Sequence, residues 1–190
     1  MAGFKAVVVI VLVIALAVGI AFGASRYLVS KLDGTGNPPP EQVGEGAYRY
    51  ASEDGYSFLY PATYELSSQS MGDMDAIVFL PKGYVPPEAG EGPPTISVAA
   101  FPISEGTTLR QWLASEPRSN WQLIVDDRAT RATTVDGEEA IWYHYSGLYE
   151  NDAVAVIHNN RVIIFTVGYL DPSDQIRTDF NILIENVELD

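Results

Sequence analysis

The N-terminal part of the chain contains an uninterrupted apolar segment, AVVVIVLVIALAVGIAFGA, from Ala6 to Ala24. Its 19 residues include no charge and no strongly polar side chain. As a helix that rises about 1.5 Å per residue, the segment would extend about 28 Å, close to the hydrocarbon thickness of a bilayer. The sequence therefore predicts one transmembrane helix ahead of any globular domain.

Two other interpretations of this segment stay open. It could be a cleaved secretory signal, since Ala21-Phe22-Gly23 supplies a small-x-small site, although the apolar stretch of such signals is about 7–15 residues. It could also be a buried core helix. We predict an uncleaved signal anchor over residues 6–27, with a short cytoplasmic N-terminus at residues 1–5. The protein would then be a single-pass protein of the cell membrane, with its C-terminal domain outside the cytoplasm.

A linker and an acidic domain follow the apolar segment. Residues 28–46 are rich in Gly and Pro and contain no aromatic residue, which predicts a spacer rather than a packed core. The formal net charge is −14, and residues 47–190 hold 8 of the 11 basic and 22 of the 25 acidic residues. Because phosphate contacts need clustered Lys and Arg, this charge excludes nucleic acid as a partner. It also predicts a domain that anionic headgroups repel.

Several chemistries are excluded by composition and motif. The chain has no Cys, so it has no disulfide, no Cys-ligated metal and no thiol nucleophile. The sequence contains no P-loop, HExxH, GxSxG, EF-hand loop or dinucleotide-binding fingerprint. We therefore predict no catalytic residue, cofactor or cofactor-binding residue.

The domain reads mainly as short strands bounded by Pro, Gly and Asn. Asp136-Gly137 and Asn159-Asn160 indicate tight turns between strands. Residues Val162–Val167 are apolar on both faces, which is typical of a strand at the centre of a covered sheet. We expect Phe165, within this strand, to lie buried between sheet and helix. The predicted strands are Tyr56–Tyr60, Ala76–Leu80, Thr95–Phe101, Arg128–Val135, Glu139–Leu148, Ala153–His158 and Arg161–Leu170.

Two segments read as helices. Thr107 or Thr108 can cap a short helix that starts at Leu109. Asp171 and Pro172 suit the cap and the first position of a second helix. The apolar stripe of this second helix comprises Ile176, Phe180, Leu183 and Val187. Strands, a helix, a strand meander and a terminal helix predict an α+β fold with a mainly antiparallel sheet.

Four sequence pieces resemble one family. Gly55–Pro61, GYSFLYP, resembles the opening of PsbP-like (Mog1/PsbP-type) domains, and Thr108–Leu113 resembles their short middle helix. Val135–Ala140 resembles their hairpin, and Phe180–Val187 is similar to their closing helix and the strand after it. The resemblance covers residues 48–189 and implies a twisted, mainly antiparallel sheet sandwiched by helices. Members serve as photosystem subunits, GTPase cofactors and anchored bacterial proteins, so the fold implies no specific activity.

His144 and His158 are the only candidate metal ligands among the histidines. They lie on consecutive predicted strands. If paired residues of these strands have numbers that sum to an even value near 302, both side chains share one face of the sheet. A metal would also need a carboxylate close to both imidazoles. The alternative is two separate strand histidines with no shared ligand, and we predict no metal site.

Two functions remain for the domain. The first is a non-catalytic binding or accessory module that holds a protein partner near the membrane. The second is an extracytoplasmic hydrolase or an enzyme that binds a small ligand. A binding module should show a shallow apolar patch, whereas an enzyme should show a deep pocket with clustered titratable groups. Exposed aromatic residues around the loop Pro81–Pro94, such as Tyr84, would favour a recognition surface.

Overall fold

A computed structural model describes residues 41–43, 46–71, 74–85 and 92–190. Within them, residues 41–84 and 93–190 belong to one compact unit. The predicted anchor, residues 6–27, and most of the predicted linker lie outside the described residues. None of the helices in the described ranges has the length and the apolar character needed to span a membrane.

The described chain is built mainly from strands that pair antiparallel with their neighbours. The strands are β1 Glu41–Gln42, β2 Ala47–Ala51, β3 Tyr56–Pro61, β4 Tyr64–Met71, β5 Met74–Pro81, β6 Ile96–Pro102, β7 Thr130–Val135, β8 Glu138–Ser146, β9 Glu150–His158, β10 Arg161–Tyr169 and β11 Glu188–Leu189. They form a small sheet in the order β1-β2-β3-β11 and a seven-stranded sheet in the order β4-β5-β6-β10-β9-β8-β7.

Two α-helices and three 3₁₀ segments complete the described part of the chain. The helices are α1 Leu109–Ser115 and α2 Gln175–Glu185, and the 3₁₀ segments are Pro117–Ser119, Trp121–Leu123 and Asp127–Ala129. Thr108 caps α1, because its hydroxyl accepts from the backbone N–H of Gln111 and the Gln111 side chain accepts from the backbone N–H of Thr108. Of the two predicted caps, Thr107 and Thr108, the structure therefore selects the second.

Strand β10 lies fourth of the seven strands, as its apolar faces predict. Ile163 and Phe165 belong to the core on one face of the large sheet, and Val162 and Ile164 belong to the core on the other. The prediction for Phe165 is confirmed, since the residue has no exposed surface and shares a cluster with Phe180 of α2.

Tight turns join the strands where the sequence predicts them. Asp136 and Gly137 have φ of 46° and 83° between β7 and β8, and Asn159 and Asn160 have φ of 46° and 58° between β9 and β10. Positive φ at both central residues is the geometry that suits a two-residue hairpin, and Asn, Asp and Gly adopt it at the lowest cost.

The first face of the large sheet is covered by α2 and by the small sheet. Aromatic side chains of the small sheet fill the interface: the ring of Phe58 lies 5.5 Å from that of Phe79, and the ring of Tyr56 lies 6.2 Å from that of Phe165. This arrangement differs from a single sheet between helices, because a second sheet shares one covering layer. The α+β, mainly antiparallel fold is as predicted.

Helix α2 begins three residues later than the predicted first helical position, Pro172. The backbone N–H of Asp174 donates to the Asp171 carbonyl at 2.9 Å, so Asp171-Pro172-Ser173-Asp174 forms a β-turn ahead of the helix. Asp at the first and Pro at the second position favour such a turn as strongly as they favour a helix start. Three of the four predicted stripe residues lie on α2: Phe180 and Leu183 are buried, and Ile176 packs against the same core. Val187 is buried as well, but α2 ends at Glu185, so Val187 lies after the helix rather than on it.

Candidate functional site

The second face of the large sheet is only partly covered. Helix α1 and the 3₁₀ segments pack over the part that contains Phe101 and Val162, where Trp112 and Leu113 are buried. Beside this covered part, over β5, β6 and β10, lies a groove of about 230 Å³. Small or uncharged side chains of β5, β6 and β10 form its floor: Ala76, Val78, Ser97, Ala99, Ile164 and Thr166.

Polar side chains form one wall of the groove. Asn120 has a left-handed backbone, with φ of 58°, and its side-chain N–H donates to the hydroxyl of Tyr145 at 3.1 Å. Burial raises the pKa of Tyr145, and the hydrogen bond from Asn120 opposes that shift. The phenol therefore stays protonated at neutral pH. Asn tolerates the left-handed conformation better than other side chains, which explains this residue at the wall.

Arg118 stands on the same wall, but its charge is already compensated. Its Nε donates to Glu116 Oε1 at 2.7 Å and its Nη2 donates to Oε2 at 2.9 Å. The guanidinium also lies 4.9 Å from the ring centre of Phe101. A bidentate pair of this kind satisfies the planar guanidinium geometry. The groove thus presents apolar and neutral polar surface rather than a site for an anion.

A buried carboxylate lies on the opposite face of the sheet, under α2. The Asp152 side chain is only 3% exposed. Arg177 of α2 donates through Nε to Asp152 Oδ2 at 2.7 Å, and the hydroxyl of Tyr169 donates to Oδ1 at 3.3 Å. The hydrogen bond to Asp152 raises the pKa of Arg177, and burial followed by the charge of Asp152 raises that of Tyr169 to about 12. The cluster joins α2 to two strands, β9 through Asp152 and β10 through Tyr169.

The two candidate histidines share a face of the sheet but do not meet. Ala140 pairs with Val156, so paired residue numbers of β8 and β9 have an even sum and both imidazoles lie on one side. His144, however, pairs with Asp152, six residues away from His158. Each imidazole therefore belongs to a separate polar group.

The partners of each histidine confirm this separation. The Nδ1 of His144 lies 3.0 Å from Asp152 and its Nε2 lies 3.0 Å from Glu150, so two carboxylates occupy opposite sides of one ring. His158 lies 3.0 Å from Glu138 and 2.8 Å from the backbone oxygen of Asp190. Among the described residues, no three His, Asp or Glu side chains are arranged to hold a metal ion.

Two arginines flank a row of three rings on the face of the large sheet that carries Asp152. The guanidinium of Arg131 lies 4.2 Å from the ring centre of Trp142, and the Trp142 ring stacks on His144 at 6.4 Å. His144 lies 6.4 Å from the ring of Tyr169, which Arg177 covers at 5.1 Å. Cation–π contacts and stacking satisfy these side chains within the domain, so the row stabilises the sheet end.

Most basic side chains of the described domain form ion pairs with carboxylates or lie over aromatic rings. Ion pairs join Arg49 to Glu188, Arg118 to Glu116, Arg128 to Asp126, Arg161 to Asp54 and Arg177 to Asp152. Arg110 and Arg131 lie over Trp rings. The arginines therefore interact with carboxylates and aromatic rings of the same chain. Most of the remaining charged groups on the surface are carboxylates.

Sequence reasoning missed the groove wall and the buried carboxylate. Nothing in the sequence brings Arg118 and Asn120 beside Tyr145, because the pairing depends on how the 3₁₀ segments cross the sheet. The position of Asp152 gives one indication of burial, because it directly precedes the apolar run Ala153–Val156. A carboxylate buried at the end of such a strand needs a partner. Tyr84 of the loop Pro81–Pro94 is half-buried, and residues 86–91 of that loop lie outside the described residues.

The sheet order and the two helices make the described part an α+β domain, and its likeness to a solved structure shows a PsbP-like fold. The solution structure of cyanobacterial PsbP (CyanoP) from Synechocystis sp. PCC 6803 is similar to the chain, with a TM-score of 0.54 and 18% identity over 79% of this chain and 98% of that one. At this identity the likeness concerns the fold alone.

A second solved structure gives a weaker likeness. A crystal structure from Bacteroides thetaiotaomicron VPI-5482 has a TM-score of 0.50 and 11% identity, over 75% of this chain and 48% of that one. The chain therefore spans about half the length of that protein. No protein-family model matches the sequence. No curated protein matches it either.

Proposed function

We propose that the protein is a membrane-anchored, extracytoplasmic binding module without catalytic activity, which holds a protein partner near the membrane. Residues 6–27 would anchor it, and the linker would lift the acidic domain away from the lipid surface. The docking site would be the groove over β5, β6 and β10, and its occupant an apolar side chain on a segment of the partner protein.

The size and lining of the groove carry this proposal. Its volume of about 230 Å³ is below the roughly 300–1,000 Å³ of pockets that enclose a drug-sized ligand. Its floor of small and aliphatic side chains offers apolar surface, and its polar wall is already hydrogen-bonded within the protein through Asn120, Tyr145 and Arg118. Such a groove suits one or two side chains of a protein segment better than a whole small molecule, which favours the binding module over the rival enzyme.

The charge distribution supports a protein partner rather than a lipid or nucleic-acid one. The arginines of the described domain are paired with carboxylates or stacked on aromatic rings. An excess of carboxylates therefore faces outward. Such a surface repels phosphate groups of either kind of ligand.

Site-directed photo-crosslinking in native membranes tests the groove. A photoreactive residue at Arg118, on the groove wall, should crosslink to one partner species. The same residue at Val125, which is 84% exposed on a loop, is the matched control and should not. Filling the floor with Ala99→Leu should abolish the crosslink at Arg118 while the melting temperature stays within a few degrees.

Two results would contradict the proposal. If Ala99→Leu leaves the crosslink intact, the groove does not hold the partner. If the protein is released by carbonate washing, the anchor is wrong. Turnover of ester or glycoside substrates by the purified chain, lost on filling the groove, would favour the rival hydrolase.

A further inference from the structure

Two leucines are exposed together at one end of the large sheet. Leu170 is 71% exposed and Leu148 is 52% exposed. Tyr169, the last residue of β10, pairs with Glu150, the first residue of β9. Leu170 and the loop of Leu148 therefore leave the sheet side by side. They are two of the six large apolar side chains that are exposed among the described residues, and the strand pairing places their turns next to each other.

The turn that carries Leu170 is rigid. The carboxylate of Asp174 accepts from the backbone N–H of Leu170 at 2.9 Å and from that of Asp171 at 3.0 Å. Asp171 in turn accepts from the backbone N–H of Ser173 at 2.9 Å and from its hydroxyl at 2.6 Å. These bonds hold the backbone so that Leu170 points away from both cores.

The hairpin that carries Leu148 is held in the same manner. The backbone N–H of Gly147 donates to the carbonyl of Tyr149 at 2.9 Å, and the side chain of Asn151 donates to that carbonyl at 2.6 Å. A Cβ on Gly168 would lie 3.6 Å from the Tyr149 side chain, so Tyr149 packs across that glycine. A preformed surface loses little conformational entropy when it binds.

The surroundings of the two leucines are acidic. Glu150 is 46% exposed, Asp171 is exposed and Asp174 is half-buried. The hydroxyl and the backbone N–H of Ser173 lower the pKa of Asp171, so this carboxylate is ionised at neutral pH. Arg177, the cation nearest in sequence, is occupied by Asp152 and donates to the Pro172 carbonyl at 3.3 Å. Glu150 accepts from the Ser146 hydroxyl at 2.7 Å and lies 3.0 Å from Nε2 of His144. The three carboxylates of Glu150, Asp171 and Asp174 still outnumber the one arginine, so acidic groups predominate around the leucines.

We propose that Leu148, Glu150, Leu170 and Asp171, which we name the leucine tip, dock a protein segment in which apolar side chains are flanked by Lys or Arg. The two leucines would supply the desolvated centre of the contact, where most binding energy is concentrated. The carboxylates would steer and orient the basic residues. The leucine tip shares no residue with the groove, so this inference does not depend on the groove as a docking site.

Binding of a short synthetic peptide with two leucines among lysines tests the leucine tip. The protein is the full chain in nanodiscs of zwitterionic lipid, and empty nanodiscs correct for peptide bound to lipid. Leu148→Ser and Leu170→Ser should each weaken binding about tenfold, as expected for one leucine taken out of contact. Val125→Ser, on a residue 84% exposed elsewhere, is the matched control and should change it less than about twofold.

Two further arms separate the possible outcomes. A peptide with glutamates in place of the lysines should bind at least about tenfold more weakly, because like charges would then meet. Ala99→Leu should leave peptide binding unchanged, so failure of the groove and failure of the leucine tip are distinguishable. If both serine variants bind the lysine peptide as the unmodified chain does, the attraction is general to the acidic domain and the proposal is wrong.

Discussion

Replacement of Arg177 by Met removes the cation that compensates a buried carboxylate. Arg177 and Arg49 have almost the same exposed fraction, 33% and 32% of the side chain. Their partners differ sharply: Asp152 is 3% exposed, whereas Glu188 is 55% exposed. Comparison of Arg177→Met with Arg49→Met therefore tests the burial of the partner, although Arg177→Met also removes the contact with the Tyr169 ring at 5.1 Å.

The two losses should differ by a large factor. Removal of one member of a buried pair costs about 3–5 kcal/mol, because the remaining charge is left uncompensated. Asp152 keeps His144 and Tyr169 as neighbours, so we expect the lower end, about 3 kcal/mol, for Arg177→Met. Exposed pairs contribute about 0–1 kcal/mol, so Arg49→Met should cost under about 1 kcal/mol.

Urea unfolding of a chain that begins at Glu41 measures both. With a slope of about 2 kcal/mol per molar urea, a loss of 3 kcal/mol lowers the midpoint by about 1.5 M. Adding Asp152→Asn to Arg177→Met removes the stranded charge and should recover more than about 1 kcal/mol. Equal, small losses for the two arginine variants would refute the reasoning, because Asp152 would then need no cation.

Two other predictions concern the core and the tyrosines. Phe165 lies in the central strand and has no exposed surface. Phe165→Ala should lower the free energy of unfolding by about 3–5 kcal/mol in the same urea titration. A loss under about 1 kcal/mol would mean that the helix does not cover this face. Burial raises the pKa of Tyr60 and Tyr169 to about 12, whereas unfolded Tyr ionises near about pH 10. The stability that the two protonated phenols contribute should therefore be complete below about pH 10 and be lost between about pH 10 and 12. In a pH titration, phenolate absorbance at about 295 nm should appear together with the loss of circular dichroism. Phenolate formation of these tyrosines near pH 10 in a folded domain would contradict the prediction.

Local sequence patterns predicted seven of the described strands and two of the turns between them. Asp136-Gly137 and Asn159-Asn160 form the expected turns because positive φ is a property of those residues themselves. Four of the described strands were not among the seven that the residue pattern predicted: β1 Glu41–Gln42, β2 Ala47–Ala51, β4 Tyr64–Met71 and β11 Glu188–Leu189. All but β2 lie at a sheet edge, and the run Ser67–Ser70 within β4 is rich in Ser and lacks β-branched side chains. Pairing with a neighbour, rather than propensity, makes such a segment a strand.

Helix α2 shows where a local pattern admits two structures. Asp171-Pro172 suits a helix start and also a β-turn, because the fixed φ of Pro172 and its missing N–H are compatible with both structures. The carboxylate of Asp174 accepts from the backbone N–H of Leu170 and of Asp171, which stabilises the turn. The helix then begins at Gln175 and still places Phe180 and Leu183 on the sheet.

Features that depend on residues a few positions apart could be predicted from the sequence. The run Val162–Val167, apolar on both faces, predicted a central strand, and the spacing of Phe180 and Leu183 predicted the buried side of a helix, because burial requires a side-chain period that matches the backbone. Contacts between distant residues could be known from the folded structure alone. Asp152 reaches Arg177 across 25 positions, and the groove opens where the α1 layer ends, because contacts between distant segments follow from sheet register and packing rather than from local pattern.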